Sequence, residues 1–240
     1  MKNFGKLALL GALVSASASF ALASPILTLG SYSSTGTPLA VDNSSLKLVA
    51  TDLTGTFPTG LGVLTPVSSV AASQTYTLNP ASVWDGPLAG STWVGVQNAG
   101  PNGTNPAYGY YEFETTFSAS AGTAYLNLNI LADDTVQVLL NGSMLVPFGT
   151  LGTDGHCSDT PTGCLYSTET NYSSMVTLGT SNTLDFIVEQ AGYNINSPGQ
   201  DPSGVDFNGS VTPEPSSLML LGTGLMSAAG MVLRRRRVAA

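Results

Sequence analysis

Tyr110-Tyr111-Glu112-Phe113-Glu114-Thr115-Thr116-Phe117 decides the fold of this chain. Tyr111, Phe113, Thr115 and Phe117 fall on one side; Glu112, Glu114 and Thr116 fall on the other. That period of two is the pattern of a half-buried strand. It continues downstream. In Tyr125–Leu131, Leu126, Leu128 and Ile130 alternate with Asn127 and Asn129. Val136, Val138 and Leu140 share a face of Thr135–Leu140, and Leu184, Phe186 and Val188 stand opposite Asp185, Ile187 and Glu189 in Thr183–Gln190. Asp133-Asp134 marks a tight turn at a hairpin end, and Asn141-Gly142 is a favoured two-residue hairpin turn leading back through Met144–Val146. Met175–Leu178 and Val205–Val211 close the series, with residues 149–173 read as a long loop. Upstream, shorter candidates lie at Leu46–Ala50, Gly62–Thr65, Thr75–Leu78 and Trp93–Gln97, and the rest of 24–60 is irregular. No stretch between the chain's ends keeps a helical period. Short strands separated by turns predict an all-β fold, a single jelly-roll-like β-sandwich over residues 24–212.

The two ends read differently. Lys2 and Lys6 precede an apolar run from Leu7 to Ala18, and Ala21-Leu22-Ala23 is an A-x-A site. Residues 1–23 therefore predict a secretory signal helix, cut before Ser24 by a signal peptidase. At the other end, residues 213–240 hold Pro213-Glu214-Pro215, an uncharged run from Ser216 to Leu233, and Arg234, Arg235, Arg236 and Arg237. As a helix the run spans about 27 Å, close to the thickness of a hydrocarbon core. This predicts a transmembrane helix with its arginines on the cytoplasmic side and the body on the other. The order of Pro-Glu-Pro, short apolar helix and arginine cluster resembles the PEP-CTERM sorting signal of Gram-negative bacteria that make extracellular polysaccharide. That resemblance implies recognition by an exosortase, removal of the tail from a membrane-anchored precursor, and delivery to the cell surface or matrix.

Charge is distributed lopsidedly. Two of the seven basic residues lie in the signal and four in the tail, which leaves the body only Lys47. Fourteen of the fifteen acidic residues are in the body, so its formal net charge is −13. Such a body lacks the basic patch that nucleic acid demands. It suits divalent cations or neutral glycans, or acidity alone keeps an exported protein soluble.

A second resemblance lies in the body. Tyr111-Glu112-Phe113-Glu114-Thr115-Thr116-Phe117, Ala132-Asp133-Asp134, Val138-Leu139-Leu140-Asn141-Gly142 and Asn182-Thr183-Leu184-Asp185-Phe186-Ile187-Val188 together look like the galactose-binding-like jelly roll. The fold is common in carbohydrate-binding modules and in accessory domains of glycosidases. The likeness covers about residues 93–211, and residues 24–92 are expected to add strands to the same sandwich.

Four features are candidate sites. Adjacent carboxylates such as Asp133 and Asp134 supply hard oxygen ligands to calcium, or form an acidic turn that bonds its own backbone. The pair is also similar to that of the PA14-type sandwich, where a paired Asp motif holds a calcium ion that contacts a glycan; the glycine that follows the pair there is Thr135 here. Cys157 and Cys164 enclose six residues and, in an oxidising compartment, are expected to form a disulfide. One histidine, His156, and two thiols make a poor zinc set. Trp84 and Tyr110 are the aromatics favoured for stacking on a sugar ring: Trp84 lies before the turn residues Asp85-Gly86-Pro87, and Tyr110 alternates away from the Tyr111/Phe113 face. Glu112 and Glu114 are the nearest carboxylate pair for glycoside hydrolysis, about 7 Å apart by strand rise. No nucleophile elbow, metalloprotease helix, P-loop or dinucleotide fingerprint occurs.

These readings predict an exported, exosortase-processed protein of the cell surface or biofilm matrix. Its body is expected to be a non-catalytic module for extracellular polysaccharide. The alternatives are a structural matrix protein without a specific ligand, and a polysaccharide-active enzyme.

Overall fold

The computed structural model describes residues 26–34, 45–53, 65–66, 74–81, 83–96, 99–101, 103–151, 157, 160–191, 201–214, 222, 224–225 and 227–230. The signal sequence, His156, Pro215 and the four arginines lie outside the described residues.

Residues Ile26–Thr212 form one compact unit. Its strands are β1 (Leu27–Gly30), β2 (Lys47–Asp52), β3 (Thr65–Pro66), β4 (Tyr76–Thr77), β5 (Val94–Gly95), β6 (Gly109–Ser118), β7 (Gly122–Asp133), β8 (Thr135–Leu140), β9 (Ser143–Val146), β10 (Thr170–Leu178), β11 (Ser181–Gln190) and β12 (Gly204–Pro213). They build two six-stranded sheets, a β-sandwich. One has the order β10-β7-β12-β5-β4 with β1 also on β12; the other has the order β3-β2-β6-β11-β8-β9. Every described register is antiparallel. Residues 27–95 therefore contribute strands to both sheets.

The alternation seen in the sequence is the packing rule. Tyr111, Phe113 and Phe117 from β6, Leu126, Leu128 and Ile130 from β7, and Val136, Val138 and Leu140 from β8 meet in one core. Phe186 of β11 stacks on Phe207 of β12 with centroids 4.3 Å apart, tying the two sheets together. Each such fully buried side chain contributes about 1.5–3 kcal/mol. Asn141 and Gly142 both take positive φ (51° and 76°), as the two-residue hairpin turn between β8 and β9 requires. The close approach of β12 to its sheet neighbour β7 sets Gly209: a Cβ there would meet the Asn127 carbonyl oxygen at 2.2 Å.

Three strand expectations need correction. The chain forms β1 where an irregular segment was expected, and β1 holds to the sandwich by pairing with β12. β10 starts at Thr170, inside the expected loop, and runs nine residues against β7. The Asp133-Asp134 turn does not join a hairpin. β7 belongs to the first sheet and β8 to the second, so the chain crosses between sheets at Asp134.

A second, smaller core sits under the loops. Leu78, Trp84, Leu88, Trp93, Ala99, Leu131 and Cys164 form it, with Tyr76 and Cys157 packed alongside. Leu131 lies two residues before Asp133, so this cluster is the floor on which the crossover rests.

The tail is described only in part. Pro213 is the last residue of β12 and Glu214 is exposed. Gly222, Gly224, Leu225 and Ser227–Gly230 are helical, and no described helix is long and apolar enough to cross a membrane.

Candidate functional site

The crossover buries both carboxylates. Asp133 is 0% exposed and Asp134 1% exposed. The two side chains hydrogen-bond each other, and their other partners come from far along the chain. Trp84 Nε1 donates to Asp133 Oδ2 across 49 residues. The Ala191 backbone N–H donates to Asp134 Oδ2 at 2.7 Å. Asp134 N donates to the Glu189 carbonyl at 3.1 Å, and Ser203 Oγ donates to the Asp133 carbonyl at 3.1 Å. The acidic turn that bonds its own backbone is thus not what forms here. The pair instead joins the loop before β5, the end of β11 and the start of β12. The peptide bond between the two aspartates is cis.

A third carboxylate closes the cluster. Asp201 is buried, its N–H donates to Asn105 Oδ1 at 3.3 Å, and its carbonyl accepts from Gln190 Nε2 at 3.4 Å. Asp201 and Asp134 both act on Tyr108, whose hydroxyl is pushed above its usual range, first by burial and then by these charges. Burial, and after it the charge of Asp134, holds Asp133 well above the carboxylate range. Burial pushes Asp134 up to about 7, the Ala191 N–H works against that shift, and Asp201 adds to it. Like charges packed together in low dielectric cannot all ionise without a cation.

Among the described residues none is at hand. Lys47, the body's one lysine or arginine, pairs in register with Glu114, opposite Asp185. The crossover lies by the Tyr110–Glu189–Thr135 row, four residues further along the strands, or about 13 Å. Asp133 Oδ1 and Gln190 Oε1 are buried with no hydrogen-bond partner among the described residues. Buried Asp206 shows the contrast: Ser31 Oγ donates to its Oδ1 at 2.8 Å and Leu88 N to its Oδ2 at 2.6 Å. An orphaned carboxylate oxygen beside two further carboxylates fits a hard divalent cation, whose ligands are oxygens.

The sulfurs beside the cluster are not metal ligands. Cys157 and Cys164 are joined as a disulfide with Cα atoms 5.5 Å apart, as the sequence leads one to expect. Both Sγ atoms lie within 4.8 Å of an Asp133 carboxylate oxygen. Bonded to each other they offer no thiolate, so the disulfide acts as a wall of the site.

Neither favoured aromatic presents a face to solvent. Trp84 is 3% exposed, stacked on Trp93 at 4.3 Å, and its indole N–H is spent on Asp133. Its neighbours Asp85-Gly86-Pro87 do form a loop, but that loop folds Trp84 inward. Tyr110 is 2% exposed, packs against Phe148 at 5.7 Å and hydrogen-bonds Glu189. The start of β6 is buried on both faces, so alternation there does not turn a residue outward. Glu112 and Glu114 stand on the outer face of the second sheet with Asp185, whose carboxyl is pushed to about 6 by burial and then by Glu112 and Glu114.

Sequence reasoning did not single out Asp201, Gln190 or the Ala191 N–H. Asp201 carried one signal, an acid in the Pro/Gly/Asn loop that leads into β12. The other two carried none, because their part depends on how β11 ends beside the crossover.

Comparison with known proteins adds the following. No curated protein matches the chain. Among solved structures, the chain is similar to a family 35 carbohydrate binding module from Clostridium thermocellum, at 19% identity over 57% of this chain and 88% of that one, with a TM-score of 0.28. It is similar to CBM35 from Paenibacillus barcinonensis at 17% identity over 58% and 93%, TM-score 0.28. It is also similar to the PA14 domain of the MpAFP antifreeze protein at 14% identity over 44% and 46%, TM-score 0.23. At the C-terminal end the match is to a motif, which implies export and exosortase processing. Residues 211–237 of this chain are a PEP-CTERM protein-sorting motif.

Proposed function

We propose that this protein reaches the cell surface or extracellular matrix after tail removal, and that its sandwich is a non-catalytic module for extracellular polysaccharide. On this reading calcium is held at the crossover. Asp133, Asp134 and Asp201 would supply its oxygen ligands, and the bound ion would neutralise their charge. The observation that carries the reading is the buried Asp133 Oδ1, without a hydrogen-bond partner among the described residues, within a cluster of three carboxylates near which no described lysine or arginine lies. The sorting motif, which implies export and exosortase processing, supports a role outside the cell.

The ion's contribution is to fix three segments: the loop carrying Trp84, the end of β11 and the loop carrying Asp201. Loops held this way are a rigid end on which a glycan can dock with little ordering cost. The test is retention of the purified protein on polysaccharide from the producing cells. Calcium should tighten binding, and Asp133→Asn should remove that gain while leaving the fold intact. Equal retention in calcium and in chelator sinks the calcium-assisted reading. No retention in either leaves the structural matrix role as the better account.

A further inference from the structure

The outward face of the first sheet has a chemistry of its own. Register places Asn171 of β10 beside Asn129 of β7, Ser173 beside Asn127, and Met175 beside Tyr125. Asn129 Nδ2 donates to Asn208 Oδ1 at 2.8 Å, which brings β12 into the first of these rows. Leu126, Leu128 and Ile130 point into the core, so Tyr125, Asn127 and Asn129 point away from it. Tyr125 is 41% exposed and Met175 45% exposed, side by side. Ser173 Oγ donates to Asn127 Oδ1 at 2.6 Å and lies 3.2 Å from the Tyr125 hydroxyl, which holds the middle row in place.

No charged side chain lies in Asn171–Thr177, Thr123–Asn129 or Asn208–Thr212. That stands out in a body with fourteen acids and one lysine, whose outward face on the second sheet carries Glu112, Glu114 and Asp185. An uncharged surface neither repels nor selects an ion. Of its primary amides, that of Asn208 is engaged on both sides, its Oδ1 by Asn129 and its Nδ2 by the Ala89 carbonyl at 2.9 Å, while those of Asn127, Asn129 and Asn171 offer both donors and acceptors, matched to polyol hydroxyls. Its exposed aromatic ring beside a thioether offers an apolar patch for the C–H face of a sugar.

We propose that this face binds a neutral polysaccharide strand, without a metal ion, through Tyr125, Met175 and the rows Asn127/Ser173 and Asn129/Asn171. It shares no residue with the carboxylate cluster and goes beyond the calcium-assisted site. The occupant is a neutral glycan because charge complementarity disfavours an anionic polymer near an acidic body, and the face has no cation with which to hold one.

The test is affinity electrophoresis of the full chain in mild detergent, with EGTA throughout. Gels contain a soluble β-glucan, dextran or alginate. The β-glucan or dextran should retard the wild-type protein, and alginate should not. Tyr125→Ala should weaken that retardation at least ~10-fold, as loss of a central aromatic anchor does, and Tyr125→Phe should keep it. Asn127→Ala, also at the surface, gives a second variant. Because EGTA silences the calcium-assisted site, retardation measured in it belongs to this face alone, so this proposal and the calcium-assisted one fail separately. Four results overturn it: no retardation by either neutral polymer, equal retardation of Tyr125→Ala, equal retardation by alginate, or a dimer in sedimentation that Tyr125→Ala dissociates, which makes a second copy the occupant.

Discussion

The carboxylate cluster makes the metal-free domain less stable as pH rises, the opposite of what paired surface carboxylates do. Asp134 is raised from 3.8 to about 7 in the folded chain. A carboxyl whose folded value lies above its unfolded one binds its proton more tightly when folded. Its stabilisation is full below about pH 4 and is lost as pH climbs through about 7. The shift is roughly 3 units, and at about 1.4 kcal/mol per unit this is about 4 kcal/mol. In a domain of this size each kcal/mol moves the melting temperature by about 2–4 °C, so the drop between pH 4 and pH 7.5 is about 8–16 °C. Asp133 and Asp185 are raised as well and add to it with the same sign. Calcium reverses the trend where the cluster is ionised; at a hundredfold excess over its Kd it restores about 2.7 kcal/mol. The assay is thermal unfolding by circular dichroism from pH 4 to 8, with calcium and with chelator. Asp134→Asn removes the titrating group while its side-chain oxygen still meets the Ala191 N–H. In chelator at pH 7.5 this variant is therefore expected to be more stable than the wild type, and to gain little from calcium. A chelated melting temperature that rises or stays flat from pH 4 to 7.5 refutes the reasoning, as does a wild-type slope in Asp134→Asn.

Three further outcomes follow from named contacts. Trp84→Phe keeps a ring against Trp93 but strips the donor from Asp133 Oδ2, and should cost about 1–3 kcal/mol in a urea unfolding midpoint measured in chelator. Reduction of Cys157–Cys164, or Cys157→Ser, opens a loop of only seven positions' separation and should cost less than the ~3 kcal/mol of a 15-residue loop. Thermal unfolding with and without reductant reads it. Deleting residues 213–240 in the producing cell should abolish the mass loss between membrane precursor and mature protein that exosortase processing gives, read by mass spectrometry of both fractions.

Much of the sandwich was legible because its central strands bury one face. The alternation in Tyr111–Phe117 and Leu126–Ile130 registers directly as core against solvent. Met175–Leu178 read as a strand, but the first half of β10 escaped because polar Ser174 interrupts the inward residues Tyr172, Ser174 and Val176. β1 escaped because four residues are too few, and its place comes from β12, some 180 positions later. Alternation also says where a strand stops and not which sheet takes the next one. Asp133-Asp134 therefore read as a hairpin end when it is a crossover. The carboxylate pair was visible as a pair, but its meaning depends on Trp84, Ala191 and Asp201, brought in by tertiary packing. Trp84 read as a loop residue because Asp85-Gly86-Pro87 follows it; its burial depends on Trp93 and Leu131, which no local pattern ties to it. Tyr125 was passed over because strand position alone does not say how much of a ring stays exposed.

The central claim is that calcium at the crossover assists polysaccharide binding, and one comparison tests it most directly. The affinity of the wild-type protein and of the Asp133→Asn/Asp134→Asn variant for polysaccharide from the producing cells would be measured in calcium and in EGTA. The account predicts that calcium tightens wild-type binding and leaves the variant at the wild type's EGTA level. Identical wild-type affinity in calcium and EGTA, or a calcium gain that survives in the variant, would contradict it.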